Sequence, residues 1–126
     1  FDLGDAYLKN DLYECIRIVH YLLREGAVGL MILGYLNKMI FQIAEIFDLK
    51  NQKKTDQEIP GILKIHPFLY KKYRTCISLY TVGHLKKLHF YLTEADILLK
   101  SGKNSFTVLE SFFIKCLAPI ILRRKR

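Results

Sequence analysis

The stretch VGLMILGYLNKMIFQIAEIFDLK, Val28 to Lys50, decides what kind of fold this chain adopts. Apolar side chains recur in it at three- and four-residue spacing: Leu30, Leu33, Leu36, Ile40, Ala44 and Phe47 in one row, Met31, Tyr35, Met39, Ile43 and Ile46 beside it. That period belongs to a helix, and a helix apolar nearly all round is expected in the middle of a bundle. Its most hydrophobic part, Ala27 to Leu36, ends at Asn37 and Lys38, short of the roughly 20 residues that a membrane-spanning helix needs. It is therefore read as a core element, and no membrane association is expected.

Working towards the N-terminus, a short helix from about Phe1 to Lys9 should stop at an Asn10-Asp11 turn. Asp11 can cap a second helix by accepting from its free amides. Leu12, Cys15, Ile16, Val19, Leu22 and Leu23 face inward there, and Gly26 supplies the left-handed C-terminal position. Towards the C-terminus, polar NQKKTDQE, Asn51 to Glu58, reads as a connector in which Thr55 and Glu58 have capping-box spacing. Pro60-Gly61 keeps the fourth helix short. KIHPFLYKKYR, Lys64 to Arg74, then opens a fifth helix with His66 as N-cap and Pro67 in the first turn. Its inner stripe is Leu69, Tyr73, Cys76, Ile77 and Tyr80. Thr81 caps a sixth helix carrying Val82, Leu85, Leu88, Leu92, Ala95 and Leu99 inward, with Asp96 and Lys100 paired one turn apart, and Ser101-Gly102 ends it. From Ser105 a last helix turns Leu109, Phe112, Phe113, Cys116 and Leu117 inward until Pro119, leaving residues 119–126 as a basic tail. No five-residue stretch alternates as a half-buried strand would. The expectation is an all-α fold, a single helical bundle of five to seven helices over residues 1–126.

A chain of 126 residues is long enough for one core and too short for two ordinary domains. Because it starts at Phe1 and not at Met, it reads as a fragment of a longer chain. Cys15, Cys76 and Cys116 stand far apart among Ile, Leu and Phe, without CxxC or Cys/His ligand spacing. Buried thiols of that kind fit a reducing compartment, so the expected localisation is cytoplasmic. The acidic opening residues do not form a signal peptide.

Charge is distributed unevenly. Residues 1–58 hold seven Lys/Arg against nine Asp/Glu, whereas residues 59–126 hold thirteen against three. Between Ile59 and Thr93 there is no acid at all, and three of the four histidines lie there. Such a basic half invites an anionic partner, most simply a nucleic acid.

Chemistry-bearing patterns are absent. His20, His66, His84 and His89 form no metal-ligand spacing, and the serines lack a GxSxG context. Glu94 and Asp96, two residues apart on a helix, point about 200° away from each other and cannot share a proton site. Gly29 and Gly34 belong to no phosphate loop and are assigned to close helix packing. Hence no catalytic, metal or cofactor-binding residue is nominated. One alternative is a free-standing helix-turn-helix DNA-binding protein, with Thr55 to Leu63, a turn at Lys64-Ile65 and a recognition helix from Pro67 that presents Tyr70, Lys71 and Arg74 outward.

IHPFLYKKY, then LTEADILLKSG and VLESFFIKCL, preceded by FDLGDAYLKNDLYECIRIVHYLLREG, resemble the C-terminal domain of the delta subunit of the bacterial DNA polymerase III clamp loader over roughly residues 1–118. The sequence departs from that pattern at Pro60-Gly61, where the family usually continues a helix, and at His84, where an acidic capping residue is common. The resemblance implies a helical collar domain that joins gamma/tau and delta-prime subunits in a ring to load the sliding clamp during DNA replication. It implies contact with the clamp through the part of the parent chain N-terminal to this one, no ATP hydrolysis and no small-molecule substrate. Apolar or aromatic groups that the inner stripes do not need, Tyr35, Met39, Tyr91 and Phe106, are the expected subunit interface. Primer-template DNA inside such a ring is expected near Lys71 and Arg74 and near Lys100, Lys103 and Asn104.

Overall fold

Side-chain caps set most of the helix starts. Asp2 accepts from the Asp5 amide (2.9 Å) to open α1, Leu3–Leu8, and Asp11 accepts from the Glu14 amide (3.1 Å) to open α2, Leu12–Arg24. His66 Nδ1 accepts from Phe68 N (3.0 Å) ahead of α5, Pro67–Ile77, and Thr81 Oγ1 from His84 N (3.1 Å) ahead of α6, Val82–Lys100. Asn104 Oδ1 takes the Thr107 amide (2.9 Å) in the first turn of α7, Ser105–Arg124. Only α3, Gly29–Asn51, and the five-residue α4, Ile59–Leu63, begin without a side-chain cap. Of the Thr55–Glu58 capping box the forward bond forms, Thr55 Oγ1 accepting from Glu58 N (3.2 Å) in the turn just before α4, while the Glu58 carboxylate takes the Thr55 hydroxyl (3.1 Å) and not its amide. Gly26 (φ 97°) and Gly102 (φ 87°) end α2 and α6 in the left-handed region, where a Cβ would cost energy.

These seven helices are those of the computed structural model, which describes residues 2–124; among them there is no strand. The helix in the middle is α7, packed between α2 and α6 and touching α3. Leu109, Phe113, Cys116, Leu117 and Ile120 are wholly buried on it. This corrects the expectation that α3 would be central. The main neighbours of α3 are α5, α6 and α7, with α1 beside Tyr35 and Met39, and Ile32, Leu33, Leu36, Met39, Ile40, Ile43 and Ile46 are buried. On the opposite side Leu30, Met31, Phe41 and Ala44 stay exposed, and Tyr35, 46% exposed, is covered in part by α1. By length and composition α3 and α7 could each cross a membrane, but both supply the buried stripes of this core.

Further differences from the sequence reading have local causes. The helix does not end at Pro119: α7 runs on to Arg124, because burying Ile120 outweighs the one backbone hydrogen bond that proline cannot make. The basic tail is thus helical through residue 124, and residues 125–126, like Phe1, lie outside the described ones. Gly29 is a true close approach, since a Cβ there would meet Ser105 Oγ at 2.7 Å, but Gly34 has open space and packs against nothing. On α5 the inner stripe includes Tyr70, which is 4% exposed, in place of the half-open Leu69. On α2, Ile18 joins the core that the spacing had assigned to its neighbours.

Candidate subunit interface

At about 100° per residue, Leu30, Met31 and Phe41 fall on the same half of α3 as Lys38, Glu45 and Asp48. The polar residues mark the solvent side, and the apolar ones among them have no partner in the bundle. Met31 is 73% exposed and Phe41 65%. Grooves border this face on both sides. Towards α6, Leu30, Gly34 and Asn37 meet His89, Thr93 and Asp96. Towards α1 and α5 lies a cleft of about 660 Å³, with Leu8, Met39, Leu69 and Tyr73 among its lining. Tyr73 donates to Gln42 Oε1 across that cleft (2.6 Å). Beyond the first groove α6 exposes Phe90 and Ile97, two turns apart on one line. Exposed apolar side chains grouped on one face, here set among polar ones, make that face a candidate docking surface.

Of the residues expected at an interface, Tyr35 lies on this face, but its ring also leans on α1, where its hydroxyl sits against Gly4 and would collide with any Cβ there. Met39 belongs to the core. Tyr91 is half-buried, edge-on to Phe90 (6.1 Å) and beneath the Lys115 ammonium (5.8 Å). Phe106 is half-buried against the His20 ring (4.8 Å), on the far side of α7 from that line. The structure therefore does not bring the four together. Met31, Phe41, Phe90 and Ile97 were missed, although the polar positions of α3 and α6 carried the signal that these residues share the solvent half.

The basic candidates separate into two places. Lys71 and Arg74 lie on the outward side of α5; Lys71 is exposed, and Arg74 Nε is 3.1 Å from Asp56 Oδ2. Lys100, Lys103 and Asn104 sit at the α6–α7 turn, where Lys100 pairs with Asp96 (2.9 Å), Lys103 is exposed and Asn104 is occupied as the cap of α7. The helix-turn-helix expectation is corrected here. Its first helix is only α4, and Tyr70, expected on the recognition face, is buried with its hydroxyl donated to Asp56 (2.7 Å). Lys50 also reaches Asp56 (3.0 Å), and the Tyr70 and Lys50 hydrogen bonds hold that carboxyl below its usual range. Asp5, bonded by Lys72 and Lys9, is lowered in the same way.

Burial shifts the titratable groups of the interior away from their charged forms. Burial pushes the Cys15 thiol up to about 12 and Cys76 up to about 11. His84, set edge-on to the Tyr80 ring (4.7 Å), has Nε2 buried without a partner, and desolvation with Arg123 and Lys87 nearby lowers it to about 4. It is a neutral core imidazole at neutral pH.

An all-α bundle with a closed interior and an unpartnered apolar helix face has the build of a helical interaction domain. The sequence model for the DNA polymerase III delta subunit, C-terminal domain, matches residues 1–116, and the chain belongs to that family. No curated protein and no solved structure matches it significantly.

Proposed function

We propose that this domain is the non-catalytic oligomerisation unit of a clamp-loader delta subunit in the cytoplasm, assembling with gamma/tau and delta-prime subunits. The sliding clamp is engaged through the part of the parent chain that precedes this domain. The observation that carries the reading is the outer face of α3, where Met31 and Phe41 are largely exposed, with Phe90 and Ile97 of α6 exposed beyond the neighbouring groove. Burying such area contributes at ~25 cal/mol per Å², and charged groups at the rim, such as Lys38 and Glu45, set orientation more than affinity.

The test is light scattering on a sizing column of this chain, alone and mixed with gamma/tau and delta-prime, in enough salt to suppress nonspecific charge effects. A defined hetero-oligomer that the double substitution Met31→Glu/Phe41→Glu abolishes, while circular dichroism stays helical, is the expected result. Assembly that survives the double substitution moves the interface elsewhere. A chain that stays alone with these partners loses the assembly role.

A further inference from the structure

Along α3 the outward line is Met31, Gly34, Lys38, Phe41, Glu45 and Asp48, at three- and four-residue spacing. Gly34, Lys38, Phe41 and Glu45 fall within about 60° of arc, opposite the buried stripe. Phe41 is the apolar centre of that line, 65% exposed. Lys38 stands one turn before it and Glu45 one turn after. Among the described residues neither of the two forms an ion pair. They lie about 4.5 Å and about 6 Å along the axis on either side of Phe41, so the line is nearly symmetric in spacing and opposite in charge.

One surface complements that order of cation, ring and carboxylate: the same surface turned end for end. A two-fold axis between Phe41 and Gln42, perpendicular to α3, sets Phe41 on the partner's Phe41 and Lys38 on the partner's Glu45, and the symmetry repeats the ion pair. A parallel copy would set lysine on lysine and glutamate on glutamate, which repel. The antiparallel register also brings the partner's Asp48 over Gly34, where exposed His89 stands across the groove. That gives Gly34 a use. A glycine inside a helix weakens it relative to alanine, and this one has nothing of its own chain within 4 Å of where a Cβ would stand. The room it leaves is room for a second helix.

We propose that, in the absence of other subunits, two copies of this chain pair through α3, antiparallel, with the two-fold axis beside Phe41. The paired stretch, Gly34 to Asp48, is about 21 Å long and ~10 Å wide, well below the ~800 Å² per partner of a standard stable complex. The dimer is therefore weak and exchanges freely. It occupies the face on which ring assembly is proposed, so the self-paired and ring-assembled forms exclude each other. The pairing itself does not depend on which other subunits the chain meets.

The test is sedimentation equilibrium of the purified chain alone, over a series from micromolar to millimolar concentration. The parent protein should show monomer and dimer and nothing larger, since a contact between identical patches closes on itself. Lys38→Glu and Glu45→Lys each set like charges against one another at both ion pairs, and each should weaken dimerisation about ten-fold or more while circular dichroism stays helical. An equimolar mixture of the two variants should recover the parent affinity, because every cross-pair is then again between opposite charges. The double substitution Lys38→Glu/Glu45→Lys on one chain should recover it as well. A chain that stays monomeric throughout the series overturns the proposal. So do single reversals that leave dimerisation unchanged, and a mixture that dimerises no better than either variant alone. No other subunit is present in this experiment, so its failure leaves ring assembly standing, and the failure of ring assembly leaves the dimer standing.

Discussion

By composition α3 and α7 are nearly the same helix: long, apolar and carrying only a few charges. Their places in the fold are opposite. Helices α2, α6 and α3 surround α7, so most of its large apolar residues lie in the core, while Ile114 and Leu122 stay exposed. All the neighbours of α3 lie on one side, so a similar supply of apolar residues is half unused. Hydrophobicity along a chain states how much surface wants to be buried; the neighbours decide whether this chain or another molecule buries it.

The strongest way to break this comparison is to truncate one ring on each helix. Phe113→Ala on α7 should cost about 3–5 kcal/mol in urea denaturation, because no atom can refill the space, whereas Phe41→Ala on α3 should stay within about 0.5 kcal/mol. Equal losses would mean that both helices are core.

Helix α6 packs against both, and its buried His84 makes that shared interior sensitive to pH. With the folded-state value near 4 and an ordinary value of 6.5, protons bind the unfolded chain more readily. The stability contribution is therefore complete above pH 6.5 and is lost as pH falls towards 4, by about 2–3 kcal/mol. His84→Leu should flatten the urea midpoint across that window. The depressed Asp5 and Asp56 carboxyls act lower: their contribution is present above the usual carboxylate pKa, near 3.8, and disappears below it. A parent protein with no slope between pH 6.5 and 4 would place His84 in contact with water.

Smaller effects come from where the two helices begin. Gly29→Ala should cost roughly 1–2 kcal/mol by thermal melting, since its Cβ would press on Ser105 at the start of α7. Asn104→Ala should cost about 1 kcal/mol by thermal melting as a lost cap of α7.

Much of the fold was legible because its signals are local. Asp11, His66 and Thr81 as caps and Gly26 and Gly102 as stops need only the next turn of chain, and each performs that role. Pro119 misled for the opposite reason: its cost is local, but the burial of Ile120 that outweighs it depends on distant residues. The candidate surface was less legible. Tyr35 and Met39 are four residues apart on one helix, yet one faces solvent and the other the core, a division set by where α1 and α5 lie. Arg74 looks like a free cation until Asp56 is placed beside it, whereas the Asp96–Lys100 pair, one turn apart, was legible in the sequence.

What the sequence by itself determined is the set of helices, their order, most of their ends and the family, because hydrogen bonding within a helix and its apolar period are properties of neighbouring residues. Only the tertiary structure decided that α7 and not α3 is the centre and that Met31 and Phe41 are left bare. Those outcomes depend on which surfaces meet, and surfaces distant in the chain meet only when the whole core closes.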